Sequence, residues 1–517
     1  MATMAIADWL LVATLSLFLV TLCVVRSRTR LLWADELYVH RMVTHPSLLG
    51  MLRGWWNGMD GGGGLYYVLV RWWSQLFGYT ELPLRLYSTF GMCIALAATW
   101  AAARRYFATP VVALAVGLTY LTPATMLWQE LNGRFYGQFL AFAAVACLWF
   151  LHTADRDPTR TDLGVTALAH AGLIGSHILG MVYSFTLLTA MIVLDRLHRR
   201  CRPKLYLAAA AGWVTLLLTL HAVVASAAVA KNHFWTQKPS LADLFTGIAL
   251  QGRLTFLLLA PLLLAATARV ALSAPLRREL PTQLRSNAAP VALSAALVAA
   301  QLILFLKSQT GTSIYVDRYL MPVSIATVFL FAAAFRVLLP RDLVTSTTPL
   351  RTVALSLAAL APCAAFAVSR NINHALYPPL GYTQQVAARM PPGQPVLVTL
   401  PNYTLFTSYD LTHTYLFMLD WPYDLSPAQS AVDYSGEHLM ENWKGGGFDA
   451  DHILPCPELF TRYPDLTLLL DFHRTDWFHD RLEHNPAYQV QPIATFTRWY
   501  PMTLYNIHRI GSGPLPC

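Results

Sequence analysis

Long apolar runs recur along the chain, separated by short polar segments that hold most of its charges. A helix needs about 20 apolar residues to cross the hydrocarbon of a bilayer. The pattern predicts about eleven membrane-spanning helices, near residues 6–25, 84–103, 110–127, 135–151, 163–177, 178–195, 205–229, 254–272, 288–306, 319–339 and 351–369. The stretch 162–195 is long enough to be read as one segment, but Gly175, Ser176, His177 and Gly180 predict a turn within it.

The composition agrees with a membrane protein. Of 517 residues, 55% are apolar or aromatic and 13% are charged, against about 25% charged residues in an average soluble domain. The mean hydropathy is +0.43. The net charge of +9 falls mostly in short loops, which is typical of membrane topology and of contact with anionic lipids rather than of nucleic-acid binding.

The positions of Lys and Arg predict a cytoplasmic N-terminus and an external C-terminus. With this orientation the cytoplasmic loops are rich in arginine, at 104–105, 156–160, 196–204, 269–285 and 336–351, and the later external loops hold far fewer basic residues. Arg26, Arg28 and Arg30 oppose the orientation, because they follow the first helix on the external side. The first apolar run lacks a basic n-region and a small-residue cleavage site, so we expect a retained helix rather than a signal peptide.

Two polar segments are longer than connectors. The first external loop, about 31–83, contains the run DGGGG at 60–64 and an aromatic stretch that suits an amphipathic helix in the headgroup layer, with Tyr66, Tyr67, Trp72, Trp73 and Phe77. After about residue 370 the hydropathy falls and short runs at 395–400 and 466–470 predict strands. We therefore divide the chain into a membrane core at 1–370 and a small external α/β domain at 371–517.

The seven cysteines form no metal-binding motif. Those in or beside the apolar runs are expected to behave as small hydrophobic residues. Cys456 and Cys517 lie in the C-terminal region, where an oxidising compartment would allow a disulfide. The sequence leaves this pairing open.

Charged residues lie at the ends of several apolar runs, and the predicted topology places them all at the external face. Ionisable groups at a membrane boundary are candidate functional residues when they can pair across a cavity. The candidates are Asp35, Glu36, Asp60, Glu130, Arg134, His177, Lys307, Asp317 and Arg318. The chain has no P-loop, HExxH, GxSxG or paired CxxC motif, and no strand and helix flank the glycine run as in a dinucleotide site.

Residues 35–340 contain, in this order, the segments ADELYVH, LYYVLVRWWSQLFGYTELPLRLYS, ARRYF, ELNGRFYGQFLAFAAV, SHILG and DRYLMP. Together they resemble the GT-C membrane glycosyltransferases of the dolichyl-phosphate-mannose protein mannosyltransferase and aminoarabinose transferase type. The resemblance implies a polytopic α-helical core, a site at the external face, a polyprenyl-phosphate sugar donor and inversion of the anomeric centre. Asp35 matches the catalytic acid of the first external loop. Gly61 to Gly64 stand where many members carry His-Pro-Pro or Pro-Pro, which leaves the acceptor side and the mobility of this loop open.

The chemistry of such a transfer suggests roles for the candidates. A lipid-phosphate sugar carries its own leaving group, so no nucleotide site is needed. Asp35 is predicted to be the general base for the acceptor, with Glu36 assisting or orienting it. Arg134 and Arg318, with Lys307 as a weaker candidate, are predicted to stabilise the departing phosphate. The predicted substrate cavity includes Asp60, Glu130 and His177.

Six of the candidates also have a structural interpretation. The alternatives are a helix N-cap for Asp35 and Glu36, an ion pair with Glu130 for Arg134, interfacial snorkelling or pairing with Asp317 for Arg318, a turn for Asp60 and a buried polar role for His177.

The sequence predicts a multi-pass enzyme of a bacterial-type inner membrane whose C-terminal domain is periplasmic or extracellular. Its expected partners are a polyprenyl-phosphate-linked sugar, membrane lipids and an acceptor that is a lipid, polysaccharide or protein, with no nucleic acid. No cofactor is certain; a divalent metal stays open, although the spacing of His40 and His45 does not require one. The alternative functions are a transporter or flippase of lipid-linked sugars and a membrane scaffold. Charges gathered at one face favour an interfacial enzyme over a transporter with a midplane site.

Overall fold

The computed structural model describes residues 6–32, 34–230, 236–340, 348–372, 377–399, 402–419, 440–471, 476–498 and 501–517. The first part of the chain is helical. Its helices are α1 (Ile6–Ser27), α2 (Ala34–Val43), α3 (Leu48–Trp56), α4 (Gly64–Phe77), α5 (Glu81–Arg104), α6 (Thr109–Tyr120), α7 (Ala124–Glu130), α8 (Tyr136–Thr153), α9 (Arg160–Ser176), α10 (Gly180–Leu197), α11 (Pro203–Ala211), α12 (Val214–Ala230), α13 (Leu241–Gly247), α14 (Arg253–Leu272), α15 (Ala274–Ser286), α16 (Ala288–Gln309), α17 (Val323–Leu338) and α18 (Pro349–Ile372). A 3₁₀ turn at Asp317–Leu320 precedes α17.

Eight helical segments of the described chain are long and apolar enough to cross a membrane, with α11 and the first part of α12 forming one of them. The number is nine if α6 and α7, which meet at an angle of 84°, form one broken span. All eleven predicted runs coincide with helices. The two that are not among these nine spans are α9 and α17, with 17 and 16 residues. The turn predicted within 162–195 is confirmed, because α9 ends at Ser176 and α10 begins at Gly180. The chain is a multi-pass α-helical membrane protein.

Helices α5 and α8 pack closely through small residues. The backbone N of Gly137 in α8 donates to the hydroxyl of Ser88 in α5 at 3.3 Å, and an added Cβ at Gly137 would lie 1.9 Å from the carbonyl oxygen of Ser88. Small residues allow membrane helices to approach in this way. The contact fixes the first turn of α8 and with it the preceding turn, which carries Arg134. In contrast, α14 exposes Leu257 and Leu264, as expected for a helix facing lipid.

The loop that the sequence predicts to be external, about 31–83, contains α2, α3 and α4. Arg71 of α4 donates through Nη1 to the carbonyl oxygens of Val43 and His45, at 3.0 and 2.6 Å. The Val43 carbonyl ends α2 and has no partner within that helix, and the His45 carbonyl lies just beyond it, so a cation there completes their hydrogen bonding. Arg71 thereby fixes the C-terminal end of the helix that carries Asp35 in its first turn.

The amphipathic helix predicted in this loop is α4, but its aromatic residues divide between two environments. Trp72 and Phe77 are exposed, in agreement with the predicted position in the headgroup layer. Tyr66 and Tyr67 are fully buried and face the core. The Tyr66 hydroxyl donates to the carbonyl oxygen of Gly133 at 3.0 Å, so this side of α4 contacts the turn between α7 and α8.

The C-terminal part forms a mixed sheet with strand order β3-β2-β1-β4-β6-β5. The strands are β1 (Val396–Val398), β2 (Tyr415–Leu419), β3 (Ile453–Pro455), β4 (Asp465–Asp471), β5 (Tyr488–Phe496) and β6 (Met502–Arg509). Strands β1 to β4 pair in parallel, and β6 pairs antiparallel with both β4 and β5. The accompanying helices are α19 (Tyr382–Ala387), α20 (Asn402–Tyr409), α21 (Cys456–Arg462) and α22 (Asp476–Glu483). The predicted α/β fold is confirmed, and the two predicted strands are β1 and β4.

Cys456 and Cys517 form a disulfide, with their Cα atoms 5.8 Å apart. The bond joins the first residue of α21 to the segment that follows β6. The pairing that the sequence left open is therefore present in the structure.

The arginines that follow α1 contact the chain that leads into the C-terminal sheet. Arg26 is buried, with its guanidinium carbon 5.1 Å from the ring centroid of Tyr377, and Nη1 of Arg30 donates to the Tyr377 carbonyl oxygen at 3.2 Å. The backbone N of Leu31 donates to the carbonyl oxygen of Pro378 at 3.0 Å. Arg26 and Arg30 thus have partners in the fold, which gives them a role other than a topology signal.

Candidate functional site

Contacts or electrostatic interactions connect five of the predicted residues, each with at least two of the others. They are Asp35, Asp60, Arg134, His177 and Arg318, and we refer to them as the Asp35 cluster. They come from five separate segments: the first turn of α2, the glycine-rich run, the turn before α8, the turn between α9 and α10, and the 3₁₀ turn before α17.

Arg134 connects three of these segments. Its Nη1 and Nη2 donate to the two carboxylate oxygens of Asp60 at 2.6 and 3.1 Å, and Nη1 also donates to the backbone carbonyl oxygen of Asp35 at 3.0 Å. The Asp60 carboxylate also accepts from the Tyr67 hydroxyl. Bidentate pairs of this kind are strong and fix the direction of the guanidinium. The ion-pair partner of Arg134 is therefore Asp60, not Glu130, which was the alternative considered from the sequence.

Glu36 is fully buried, unlike its neighbour Asp35. Nε and Nη2 of Arg85 each donate to one of its carboxylate oxygens at 2.8 Å, and the backbone N of Gly133 donates to Oε1 at 2.7 Å. Arg85 also donates to the carbonyl oxygen of Leu31 at 2.7 Å. Glu36 therefore joins the first turn of α2 to the turn that carries Arg134.

Asp35 is partly exposed, and its charge acts on both arginines of the cluster. Burial alone lowers the pKa of Arg134, but the carboxylates of Asp60 and Asp35 outweigh burial and raise this pKa well above its ordinary value. Burial also lowers the pKa of Arg318, and Tyr136, Tyr319 and Asp35 together raise it above its ordinary value. The carboxylate of a partly exposed residue thus lies within electrostatic range of two guanidinium groups.

His177 lies in the turn between α9 and α10, among aromatic rings. Its ring stacks on Phe135 with centroids 4.7 Å apart, and the Tyr319 ring lies 4.8 Å away. Burial, with the positive charges of Arg134 and Arg318 nearby, lowers the pKa of His177 to about 3. The imidazole is therefore neutral near pH 7, and its Nδ1 accepts from the backbone N of Leu179 at 3.3 Å.

Glu130 and Lys307 lie outside the contacts described above. Glu130 ends α7 and is fully buried, and neither of its carboxylate oxygens has a hydrogen-bond partner within the described chain. Lys307 is exposed in the last turn of α16, and no described hydrogen bond or ion pair joins it to the Asp35 cluster. The roles of both residues remain predictions.

The glycine run packs against the turn that carries His177. The backbone N of Gly63 donates to the carbonyl oxygen of Ser176 at 3.0 Å, and an added Cβ at Gly63 would lie 1.9 Å from the carbonyl oxygen of Gly175. An added Cβ at Gly61 would meet no atom within 4 Å. Glycine is therefore required at position 63 for the close approach of two backbones, but not at position 61.

One group of side chains within the described ranges has ligand atoms near enough together to hold a metal ion. It consists of His479, Asp480 and Glu483, whose candidate ligand atoms lie within 4.8 Å of one another. All three belong to α22 in the C-terminal sheet domain, and the two acidic residues are exposed. Of the histidines near Asp35, His40 is half-buried, and the loss of solvation lowers its pKa to about 4. A divalent metal therefore remains a prediction.

The sequence interpretation missed Arg85, the partner of Glu36. This arginine stands at the start of the apolar run 84–103 and is fully buried. A charged residue inside a membrane-spanning run is rare and needs a partner, and this rule applied to Arg85 would have identified it. Tyr67 was also missed as a partner of Asp60, because the aromatic stretch that contains it was interpreted as interfacial.

Neither the family models nor the curated proteins match this sequence. Solved structures do match its fold. The crystal structure of ArnT from Cupriavidus metallidurans in the apo state matches with a TM-score of 0.61 and 13% identity, over 96% of this chain and 97% of that chain. The chain has the GT-C fold of ArnT. ArnT bound to undecaprenyl phosphate matches with a TM-score of 0.59 and 13% identity, over 97% of this chain and 98% of that chain.

The oligosaccharyltransferase of Archaeoglobus fulgidus, in complex with Zn and sulfate, matches with a TM-score of 0.48 and 12% identity, over 94% of this chain and 72% of that chain. The likeness to ArnT extends over the helical core and the C-terminal sheet domain alike, since it covers nearly all of both chains. The likeness confirms the fold predicted from the series of sequence segments that occur in order within residues 35–340.

Proposed function

We propose that this chain is a membrane glycosyltransferase that moves a monosaccharide from a polyprenyl-phosphate donor to an acceptor on the external face of the membrane. The likeness to ArnT, which binds undecaprenyl phosphate, supports the class of donor. The observation that carries the proposal is the partly exposed carboxylate of Asp35 within range of Arg134 and Arg318. A base for the acceptor and cations for a leaving phosphate are the groups that this transfer needs.

Asp35 is the proposed general base. It takes the proton from a hydroxyl or amine of the acceptor while that oxygen or nitrogen forms a bond to the anomeric carbon. The bond between this carbon and the phosphate oxygen breaks, and polyprenyl phosphate leaves from the opposite side, which inverts the centre. Both oxygens of Glu36 already accept hydrogen bonds from Arg85, so Glu36 is better suited to orienting Asp35 than to accepting the proton.

Arg134 and Arg318 are the proposed phosphate-binding groups. The bidentate pair with Asp60 fixes Arg134, and its buried Nε has no hydrogen-bond partner within the described chain. Arg318 is partly exposed in the 3₁₀ turn before α17. Fixed cations stabilise the charge that develops on the phosphate without further reorganisation. Lys307, exposed at the end of α16, is a weaker candidate for an approaching donor.

The proposed substrate cavity includes Asp60, Glu130 and His177. The neutral imidazole of His177 lies in range of both arginines and offers a hydrogen-bonding group to a sugar hydroxyl. Asp60 acts through its contact with Arg134. Glu130 is a buried acid without a described hydrogen-bond partner, and such groups are retained where function requires them.

We place the protein in an inner membrane, with residues 371–517 on the external side. The Cys456–Cys517 disulfide supports this side, because disulfides persist in oxidising compartments and are rare in the cytoplasm. Labelling with a membrane-impermeant reagent in right-side-out vesicles tests the placement: exposed groups of the sheet domain should react without permeabilisation.

The test of function compares wild type with Asp35→Asn in proteoliposomes that contain labelled polyprenyl-phosphate sugars and host lipid, polysaccharide and protein acceptors. The measurement is the release of free polyprenyl phosphate. We expect wild type to turn over one donor and Asp35→Asn to lose at least about 100-fold in rate, the usual contribution of a general base. Asp451→Asn makes the same chemical change at an exposed position of the C-terminal domain and should retain full activity.

Equal turnover by wild type and Asp35→Asn would show that another group is the base. If no donor releases polyprenyl phosphate but a labelled lipid-linked sugar crosses the bilayer, the protein is a flippase and the proposal fails. Either result is valid only if wild type, Asp35→Asn and Asp451→Asn unfold at the same temperature, which shows that all three proteins are folded.

A further inference from the structure

Helix α15 differs from every neighbouring helix in having no buried residue along its 13 positions. It follows the spanning helix α14 after a single residue and precedes the spanning helix α16 after another. Both ends of α15 are therefore tied to the ends of membrane spans. A helix held in this way lies at the surface of the bilayer and cannot extend far from it.

The helix is on the side of the membrane opposite to the Asp35 cluster. Arg318 precedes α17, and Leu338 is the last residue of α17. Sixteen helical residues rise about 24 Å, so Leu338 lies across the apolar layer from Arg318. Nη1 of Arg269, in the last turn of α14, donates to the carbonyl oxygen of Leu338 at 3.0 Å. Helix α15 begins directly after α14 and therefore shares this distal face.

The residues of α15 divide into an apolar face and a basic face. Leu276, Leu280 and Leu284 recur every four positions and form one stripe along the helix. Arg277, Arg278 and Arg285 lie outside this stripe and are exposed. A short leucine stripe beside exposed arginines is the pattern of a helix that lies in the plane of the headgroups.

Further arginines surround α15 on the same face. Helix α17 ends near Arg336 and α18 begins near Arg351, and both arginines are exposed. In the described residues 269–287, 336–340 and 348–351 there are six arginines and a single acid, Glu279. Glu279 accepts from the side-chain amide of Gln283 at 3.2 Å. This face therefore has a strong excess of positive charge.

We infer that α15 and the arginines around it bind anionic phospholipid headgroups. The leucine stripe enters the boundary of the acyl chains, and the guanidinium groups of Arg277, Arg278 and Arg285 contact lipid phosphates. Charge complementarity selects this partner, because a basic segment at a membrane surface is attracted to anionic lipid. An acidic protein is the competing partner, but it would leave the leucine stripe without an apolar environment. The inference rests on the membrane fold and not on the proposed transferase activity.

The experiment uses the full chain in phosphatidylcholine vesicles that contain an equal trace of photoactivatable phosphatidylglycerol or photoactivatable phosphatidylcholine. Cross-linked peptides are assigned by mass spectrometry. Peptides from α15 should be labelled at least about fivefold more by phosphatidylglycerol, the effect expected for even one arginine near an anionic headgroup. The preference should fall in high salt, since exposed charges are screened.

The variant Arg277→Gln/Arg278→Gln/Arg285→Gln should lose the preference. The control Arg389→Gln/Arg462→Gln changes two exposed arginines of the C-terminal sheet domain and should keep it. Because the three arginines of α15 are exposed, the variant should unfold at the same temperature as wild type. Equal labelling of α15 by the two lipids, no labelling by either, or an unchanged preference in the triple variant would each overturn the inference.

Discussion

Arg85 binds both carboxylate oxygens of Glu36, and neither side chain is exposed to solvent. The two residues are 49 positions apart, on α5 and α2. Their ion pair holds the first turn of α2 against the start of α5, and the bond from Gly133 to Glu36 adds the turn that carries Arg134. The proposed base and the proposed phosphate-binding arginine therefore share one buried support.

Glu36→Gln should destabilise the protein, because it leaves the buried guanidinium of Arg85 without a compensating charge. Removing one partner of a buried ion pair costs roughly 3–5 kcal/mol of the free energy of unfolding. Asp35→Asn changes the carboxylate of the neighbouring, partly exposed residue. It should shift stability by less than about 1 kcal/mol while lowering turnover at least about 100-fold. Denaturant titration in detergent measures the first effect, and polyprenyl phosphate release measures the second. A Glu36→Gln protein as stable as wild type would contradict the structural role of the pair.

Tyr409 links the C-terminal sheet domain to the segment before Asp35. Its hydroxyl donates to Oε1 of Glu81 at 2.7 Å and accepts from the backbone N of Leu32 at 2.9 Å. Tyr409→Phe removes both bonds and keeps the ring. Since a small displacement of a catalytic group can cost up to about 100-fold in rate, we expect kcat to fall by about tenfold, with the KM for the donor unchanged.

The control for Tyr409→Phe is Tyr415→Phe, which loses a hydroxyl bond to Asp410 inside the same domain and away from Leu32. Tyr415→Phe should unfold at a somewhat lower temperature than wild type but retain kcat. Equal losses of kcat in the two variants would mean that the sheet domain supports the site only through its general stability. A rise in KM without a change in kcat would instead assign Tyr409 to donor binding.

Gly63→Ala should disturb the site, whereas Gly61→Ala should not. The added methyl at position 63 would meet the carbonyl oxygen of Gly175 at 1.9 Å, and backbone on both sides must then shift. Overpacking of this kind costs typically about 1–3 kcal/mol. Position 61 is open, so alanine there should be neutral or slightly stabilising. Thermal unfolding and donor turnover, measured for both variants, test the difference. Equal losses of stability and turnover in the two variants would show that the site depends on the flexibility of the glycine run and not on the close approach of Gly63 to Gly175.

Local patterns predicted the elements better than they predicted the partners of site residues. The break between α9 and α10 and the strands β1 and β4 follow from apolar periodicity and turn residues within short windows. The structural alternative to a phosphate-binding role for Arg134 is an ion pair with Glu130, four positions earlier, as on a continuous helix. Helix α7 ends at Glu130, so the two residues do not share a helical face, and the partner of Arg134 is Asp60, 74 positions away. Contacts at such separations depend on the packing of whole helices, which a single sequence does not encode in its spacing.

The neutral state of His177 predicts a pH dependence of stability. Unfolded histidine binds a proton near pH 6.5, whereas the pKa of His177 in the folded protein is about 3. The stability that this group contributes is therefore complete above pH 6.5 and is lost as the pH falls toward 3, by up to about 1.4 kcal/mol per pH unit. His177→Phe keeps an aromatic ring on Phe135 and cannot titrate. The free energy of unfolding of this variant should therefore depend less steeply on pH between pH 6 and 4. His484→Gln, at an exposed position, should leave this slope unchanged.

The same variant separates the two interpretations of His177, as a packing residue and as part of the substrate cavity. If the imidazole nitrogen contacts the sugar, His177→Phe should be as stable as wild type at pH 7.5 but have a higher KM for the donor. Normal kinetics with a reduced slope would leave His177 as a packing residue between Phe135 and Tyr319. An unchanged slope would assign the pH dependence to another group, of which His40 is the first candidate, because burial lowers its pKa to about 4.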